Sequence, residues 1–149
     1  MPIFKRYNKT LRINVSEIMS TPPVTIPEGL DLQSAIDLMW VKKVGSVIVV
    51  DLQGRVRGLL TEKDVIYAAA KGLFKKKEEP LAESIMAKNV VSVKKEDDLT
   101  AVIEKMRAHN LKHMPVVDND NRPLGMVSLR DVLDVSMAVL RLLMPPDAS

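Results

Sequence analysis

The 149-residue sequence has no cysteine. That excludes disulfides, thiolate metal ligands and a cysteine nucleophile, and it gives no pointer to an oxidising compartment. Aromatic residues make up only 3% of the chain, with one Trp, two Tyr and two Phe, so the core must be aliphatic, with nine methionines adding bulk. No apolar run approaches the length that crosses a bilayer, and the opening "MPIFKRYNKTLRIN" lacks the apolar stretch of a signal peptide. The expectation is a cytoplasmic protein without membrane insertion. Six glycines leave little room for phosphate cradles, and there is no G-x-S-x-G elbow, Walker loop or glycine-rich dinucleotide fingerprint. An enzyme is therefore not expected, and no catalytic residue is assigned. Neither sign of charge dominates: 22 basic against 19 acidic residues give a net charge of +3, which suits an anionic ligand without requiring nucleic acid.

What the sequence does have is a duplication. Sliding it against itself by 67 positions aligns Glu17–Ile66 with Ser84–Leu133 without a gap, with 14 identities in 50 positions. The matches include Met19 with Met86, Asp31 with Asp98, Met39 with Met106, Gly58 with Gly125, Asp64 with Asp131, and the "VVD" triplets at 49–51 and 116–118. Two copies suggest a pseudo-symmetric pair rather than a solenoid. Each copy reads as an extended piece ("PVTI", "VVSV"), an amphipathic helix, a β-branched strand ("SVIVVD", "HMPVVD"), a polar turn, a second apolar strand and a closing helix. In the first copy, Leu32, Ala35, Ile36 and Met39 share one helical face. The order is β-α-β-β-α, with too few strands per copy for a sheet that stands alone, so the two copies are expected to pack on each other. The expected organisation is a basic extension over 1–14, repeat 1 over 15–72, a charged linker over 73–81, repeat 2 over 82–144 and a tail over 145–149.

The repeated phrases "GLLTEKDV" and "GMVSLRDV" carry the candidate site. Taken alone, Thr61 with Asp64 and Ser128 with Asp131 are helix starts, with a hydroxyl at the N-cap and an acid three residues on. A ligand reading competes with that structural one. A helix N-terminus at the end of a strand offers amides to a phosphate, a carboxylate there can accept from the two hydroxyls of a ribose, and Lys63 and Arg130 add a cation at equivalent positions. His109 and His113 have the spacing of a helical metal pair, but Asn110 reads as the helix end, so no metal site is assigned.

These paired phrases, with "EIMSTPPVTI" and "SIMAKNVVSV" upstream and the "VGSVIVVD" and "LKHMPVVD" strands, resemble a tandem pair of cystathionine β-synthase (CBS) domains, a Bateman module, over about residues 15–140. The resemblance implies an α/β (α+β) fold of two pseudo-symmetric repeats packed through their sheets, with clefts that take an adenine nucleotide (AMP, ADP or ATP) or S-adenosylmethionine as a regulatory ligand. It implies that Asp64 and Asp131 hold ribose hydroxyls and that Thr61 and Ser128 contact ribose or phosphate. The base would lie against Met19, Pro22, Val24 and Thr25 in one cleft and Met86, Val91 and Ser92 in the other. Ser46 and Val47, or His113, Met114 and Pro115, would form the opposite wall, although Val47, Met114 and Pro115 read more readily as core, because burial is the default for apolar strand residues. Because His113 replaces Ser46 at the equivalent position, two unequal clefts are expected. No cofactor is required, and magnesium would enter only with a nucleotide.

The closing helix "RDVLDVSMAVLRLLM" has more apolar positions than one small core can cover, and Trp40 ends the first long helix. A homodimer through helical faces is therefore expected, with an effector protein of unknown identity reading the ligand state. Two other classes stay open. One is a nucleic-acid-binding regulator that uses Lys5, Arg6, Lys9, Arg12 and the "KKK" run. The other is a structural dimerisation module with no nucleotide ligand.

Overall fold

The computed structural model describes residues 12–146. Repeat 1 contains helix α1 (Val15–Ile18), strand β1 (Thr25–Pro27), helix α2 (Leu32–Lys42), strands β2 (Ser46–Val50) and β3 (Val56–Thr61) and helix α3 (Glu62–Ala70). After short 3-10 turns at Leu73–Lys75 and Ala82–Ser84, repeat 2 continues with helix α4 (Leu99–His109), strands β4 (His113–Val117) and β5 (Pro123–Ser128) and helix α5 (Leu129–Leu143). Both long central helices are built alike. Asp31 and Asp98 cap their N-termini by accepting from Ser34 and Ala101 amides, and Lys43 and Asn110 end them in left-handed conformation. Leu32, Ala35 and Met39 are buried in α2, as are Val102 and Met106 in α4, which is the face that the periodicity predicts.

The "VVD" triplets are explained by the turns that follow them. Asp51 Oδ1 accepts from the Gln53 and Arg55 amides and Asp118 Oδ1 from the Asp120 and Arg122 amides, all at 2.9 Å. Each aspartate thus closes the turn between the two antiparallel strands of its repeat.

The repeats differ at their first strand. In repeat 1, β1 pairs in parallel with β2, and Ile48 N–H donates to Val24 O at 3.0 Å. The residue equivalent to Ile48 is Pro115, which has no N–H to give. The expected strand at "VVSV" accordingly shrinks to one parallel bridge, Val93 with Val116. The Ser92 carbonyl takes the Lys105 ammonium at 2.9 Å.

The repeats also exchange their leading segments. Val15, from the start of repeat 1, is fully buried in the core of repeat 2 with Val93, Val102, Met106, Met114, Val116, Val127 and Val132. Ala82, from the start of repeat 2, is buried in the core of repeat 1 with Ile26, Leu32, Ala35, Val47, Val49 and Leu60. Two-residue bridges fix each crossing segment: Ser20 exchanges amide–carbonyl bonds with Met126 on β5, and Ala87 with Leu59 on β3, at 2.8–3.1 Å. A third cluster of Ile48, Val56, Leu59 and Val117 joins the two sheets. This is the expected α+β architecture of two repeats packed through their sheets, with the β-α-β-β-α order complete in repeat 1 and the first strand of repeat 2 reduced to a bridge.

The crossing segments account for the matched glycines. A Cβ on Gly125 would stand 2.7 Å from Ser20 O and 2.9 Å from Met19 Sδ, and a Cβ on Gly58 would overlap the Met86 side chain. Most of the charged linker, Lys75–Glu79, is exposed, while Leu73 packs on the core of repeat 1. The expected basic extension and C-terminal tail lie largely outside the described residues, as do Lys5, Arg6 and Lys9. No helix among the described residues is long and apolar enough to cross a membrane.

Candidate functional site

Because Ser20 is bonded to Met126, the stretch that follows it in repeat 1 runs beside the β5–α5 junction of repeat 2. Between them lies a cleft of about 490 Å³, within the usual size range for small-molecule sites. Repeat 1 lines it with Ser20, Pro22–Val24, Lys43–Ser46 and Glu62, and repeat 2 with Lys112, His113, Met126 and Ser128–Asp131. Neither repeat could form this cavity alone.

Asp131 sits in the first turn of α5. Its Oδ2 accepts from the Ser128 amide at 2.8 Å while Ser128 Oγ accepts from the Asp131 amide at 3.1 Å. That is the capping box the sequence allows, and it uses one carboxylate oxygen, leaving Oδ1 for a second acceptor role. At the other junction, Asp64 Oδ2 accepts from the Thr61 amide at 2.9 Å and from the Thr61 hydroxyl at 3.2 Å. The Thr61 hydroxyl is thus turned onto the carboxylate, whereas the Ser128 hydroxyl accepts from the helix.

The cleft is crowded with charge. Lys43, Lys112 and Arg130 are exposed cations that line it together with the carboxylates of Glu62 and Asp131. His113 is half-buried at the first position of β4. Burial holds its imidazole below the ordinary value of 6.5; the Glu62 and Asp131 carboxylates pull in the opposite direction, and Lys112 adds to the depression. Gly45 lies against both groups: the position of a Cβ there would be 3.2 Å from Glu62 Oε1 and 3.2 Å from His113 Nε2. Glu62 is fixed from behind, since its amide donates to Gly45 O at 3.1 Å. Among the described residues no group of three or more His, Asp or Glu has metal-holding geometry.

The sequence-predicted residues divide clearly. Pro22, Val24, Ser46, His113, Ser128, Arg130 and Asp131 line this one cleft. Met19 lies just outside it, packed over Gly125, and Thr25 begins β1 with an exposed side chain. Thr61, Lys63 and Asp64 stand at the other junction, at the end of the strand that the Leu59–Ala87 bridge joins to the segment carrying Met86, Val91 and Ser92. Met86 packs over Gly58, and Val91 packs on the core of repeat 2. Val47 and Met114 are a correction: both side chains are fully buried in the hydrophobic cores, because alternate residues of β2 and β4 point inward. Pro115 is buried as well, so the wall falls to Ser46 and His113.

Sequence reasoning missed Lys43, Glu62 and Lys112. The signal was available, because Lys112 directly precedes the predicted His113 and Glu62 directly follows the predicted Thr61. What hid them was the assignment of each phrase to its own repeat, when α3 of repeat 1 and β4 of repeat 2 meet at one cleft.

The CBS domain family matches the chain twice, over residues 15–71 and 82–138, and the protein belongs to that family. The chain is 25% identical to the CBS domain pair of protein MJ0100, solved in complex with 5′-methylthioadenosine and S-adenosyl-L-methionine. The TM-score is 0.80, covering 87% of this chain and 99% of that one. It is 26% identical to the CBS domain protein PAE2072 of Pyrobaculum aerophilum, complexed with AMP, with a TM-score of 0.77 over 88% and 98% of the two chains. Among curated proteins it is 31% identical over 118 residues to a homoserine O-acetyltransferase of Methanohalobium evestigatum, over 79% of this chain but 23% of that enzyme. The chain therefore spans about a quarter of the length of that relative.

Proposed function

We propose that this CBS pair is a non-catalytic sensor that binds an adenosine ligand in the cleft between its repeats and signals occupancy through a helical face. The observation that carries the reading is the single cavity in which Pro22–Val24 and Ser46 of repeat 1 face His113, Ser128, Arg130 and Asp131 of repeat 2. A purine against the proline-bordered segment would place a ribose at Asp131 Oδ1 and a 5′ substituent at the Ser128 helix start and the Lys43, Lys112 and Arg130 cations. The ligands of the two solved pairs, AMP in one and 5′-methylthioadenosine with S-adenosyl-L-methionine in the other, share the adenosine core that such a cleft would read.

Occupancy ties the two repeats across the cleft, and only a ligand with different affinity for two arrangements can signal by doing so. The output surface is the helical side. Trp40 is 80% exposed at the end of α2, and Leu133, Met137, Leu140, Leu142, Leu143 and Met144 are exposed along α5. A homodimer through these helices, read by an effector protein, covers that apolar surface. Calorimetric titration with AMP, ATP and S-adenosylmethionine tests the reading. Saturable binding of at least one is expected. Heats that stay at the dilution level for all three leave the capping boxes as structure only, and favour the structural dimer module instead.

A further inference from the structure

Glu62 is the group in the cleft that an anion-binding site does not explain. It is the first residue of α3, its equivalent in repeat 2 is the apolar Leu129, and it reaches across to the cleft formed by the other repeat's motif. Its backbone is anchored, since the amide donates to Gly45 O at 3.1 Å, and its Oε1 and His113 Nε2 each lie 3.2 Å from where a Cβ on Gly45 would stand. Glu62 lines the same cleft as the cations Lys43, Lys112 and Arg130 and the Asp131 carboxylate. A ligand with its ribose at Asp131 places its 5′ substituent in this mixed field, in which the Glu62 carboxylate faces the ligand together with the three cations.

We propose that Glu62 sets the charge of the 5′ substituent this cleft accepts, disfavouring a polyphosphate tail relative to a single phosphate and favouring a cationic sulfonium. This rests on the adenosine-ligand reading above. The physical cause is direct. Each phosphate added beyond the first brings negative charge toward the exposed carboxylate at the first position of α3, whereas a sulfonium meets it with attraction. His113 is part of the same balance: facing Glu62, Asp131 and Lys112, and held toward its neutral form by burial, it leaves the Glu62 charge only partly offset at neutral pH.

The test is calorimetric titration of AMP, ATP and S-adenosylmethionine into the full chain as wild type, Glu62→Gln and Glu62→Leu. The glutamine variant keeps shape and hydrogen bonding, and the leucine variant reproduces the residue repeat 2 carries. In both, affinity for ATP relative to AMP should rise about five- to tenfold, and affinity for S-adenosylmethionine relative to AMP should fall by a similar factor, with both changes shrinking as salt is raised. Affinity ratios that stay within twofold of wild type in both variants overturn the inference while the adenosine-ligand reading stands. If wild type and variants bind none of the three, that reading falls and the inference with it. If all three affinities change by the same factor in both variants, Glu62 acts on cleft shape and its proposed role as a charge filter is overturned.

Discussion

Gly125→Ala tests how the cleft is held together. A Cβ at this position would meet the Ser20 carbonyl oxygen at 2.7 Å, with Met19 Sδ at 2.9 Å and Met19 Cγ at 3.2 Å. The oxygen belongs to the two-bond bridge, Ser20 N–H to Met126 O at 2.8 Å and Met126 N–H to Ser20 O at 3.1 Å, that seats the crossing segment. Relief requires backbone movement. Overpacking of a tight interior costs about 1–3 kcal/mol, and weakening the bridge adds about 1 kcal/mol, so a total loss of about 2–4 kcal/mol is expected. For a chain of this length that lowers the melting temperature by about 5–15 °C. Gly58→Ala is the matched control, because the three atoms nearest its new methyl all belong to the flexible Met86 side chain, with Cγ and Cε both at 2.7 Å. In a Met86→Ala background Gly58→Ala should cost almost nothing, whereas Met19→Ala should leave the Gly125→Ala penalty largely in place. Thermal melting followed by circular dichroism reads wild type, the four single variants and the two double variants. A Gly125→Ala melting point within a degree of wild type, or full rescue by Met19→Ala, would refute the crossing-segment account of these glycines.

Three further outcomes are expected. His113 is held below 6.5 by burial, so the unfolded chain binds more protons between the two values; its contribution to stability is complete above 6.5 and is lost as pH falls below it. The melting-temperature advantage of wild type over His113→Gln should therefore shrink between about pH 7.5 and about pH 5.5, and an advantage that grows on acidification contradicts this. Light scattering should give twice the chain mass for wild type and the single-chain mass for Leu133→Glu and Leu140→Glu, whose side chains are 56% and 51% exposed here; an unchanged mass in both variants removes α5 from the interface. Asp98→Ala removes the acceptor of the Ala101 amide at 2.9 Å and should cost about 1 kcal/mol, measured by urea unfolding, with a midpoint equal to wild type as the contrary result.

Much of this protein is legible from the 67-residue offset. The repeat order, the buried face of α2, the ends of α2 and α4 at Lys43 and Asn110, and the capping chemistry at Thr61 and Ser128 all follow from local rules that act within a few residues. The strand at "VVSV" failed because the deciding residue is distant: Pro115, 22 positions after Val93, lacks the donor that Ile48 supplies in repeat 1. Val47 and Met114 were ambiguous because strand alternation shows two faces but not which of them meets a cavity. The exchange of Val15 and Ala82 between cores, and with it the presence of Glu62 in the cleft of repeat 2, depends on tertiary pairing that a pattern confined to one repeat does not encode.

The most direct measurement of the central claim is a melting series with and without saturating AMP on wild type, Asp131→Asn and Asp64→Asn. Asparagine keeps an oxygen for the capping amide, so melting points without ligand should stay close to wild type. At a hundredfold excess over the dissociation constant, one site adds about 2.7 kcal/mol, which raises the wild-type melting temperature by several degrees. The account predicts that Asp131→Asn abolishes this rise and that Asp64→Asn keeps it, because Asp131 lines the cleft formed by both repeats. An AMP shift that survives in Asp131→Asn, or is absent from wild type, would contradict it.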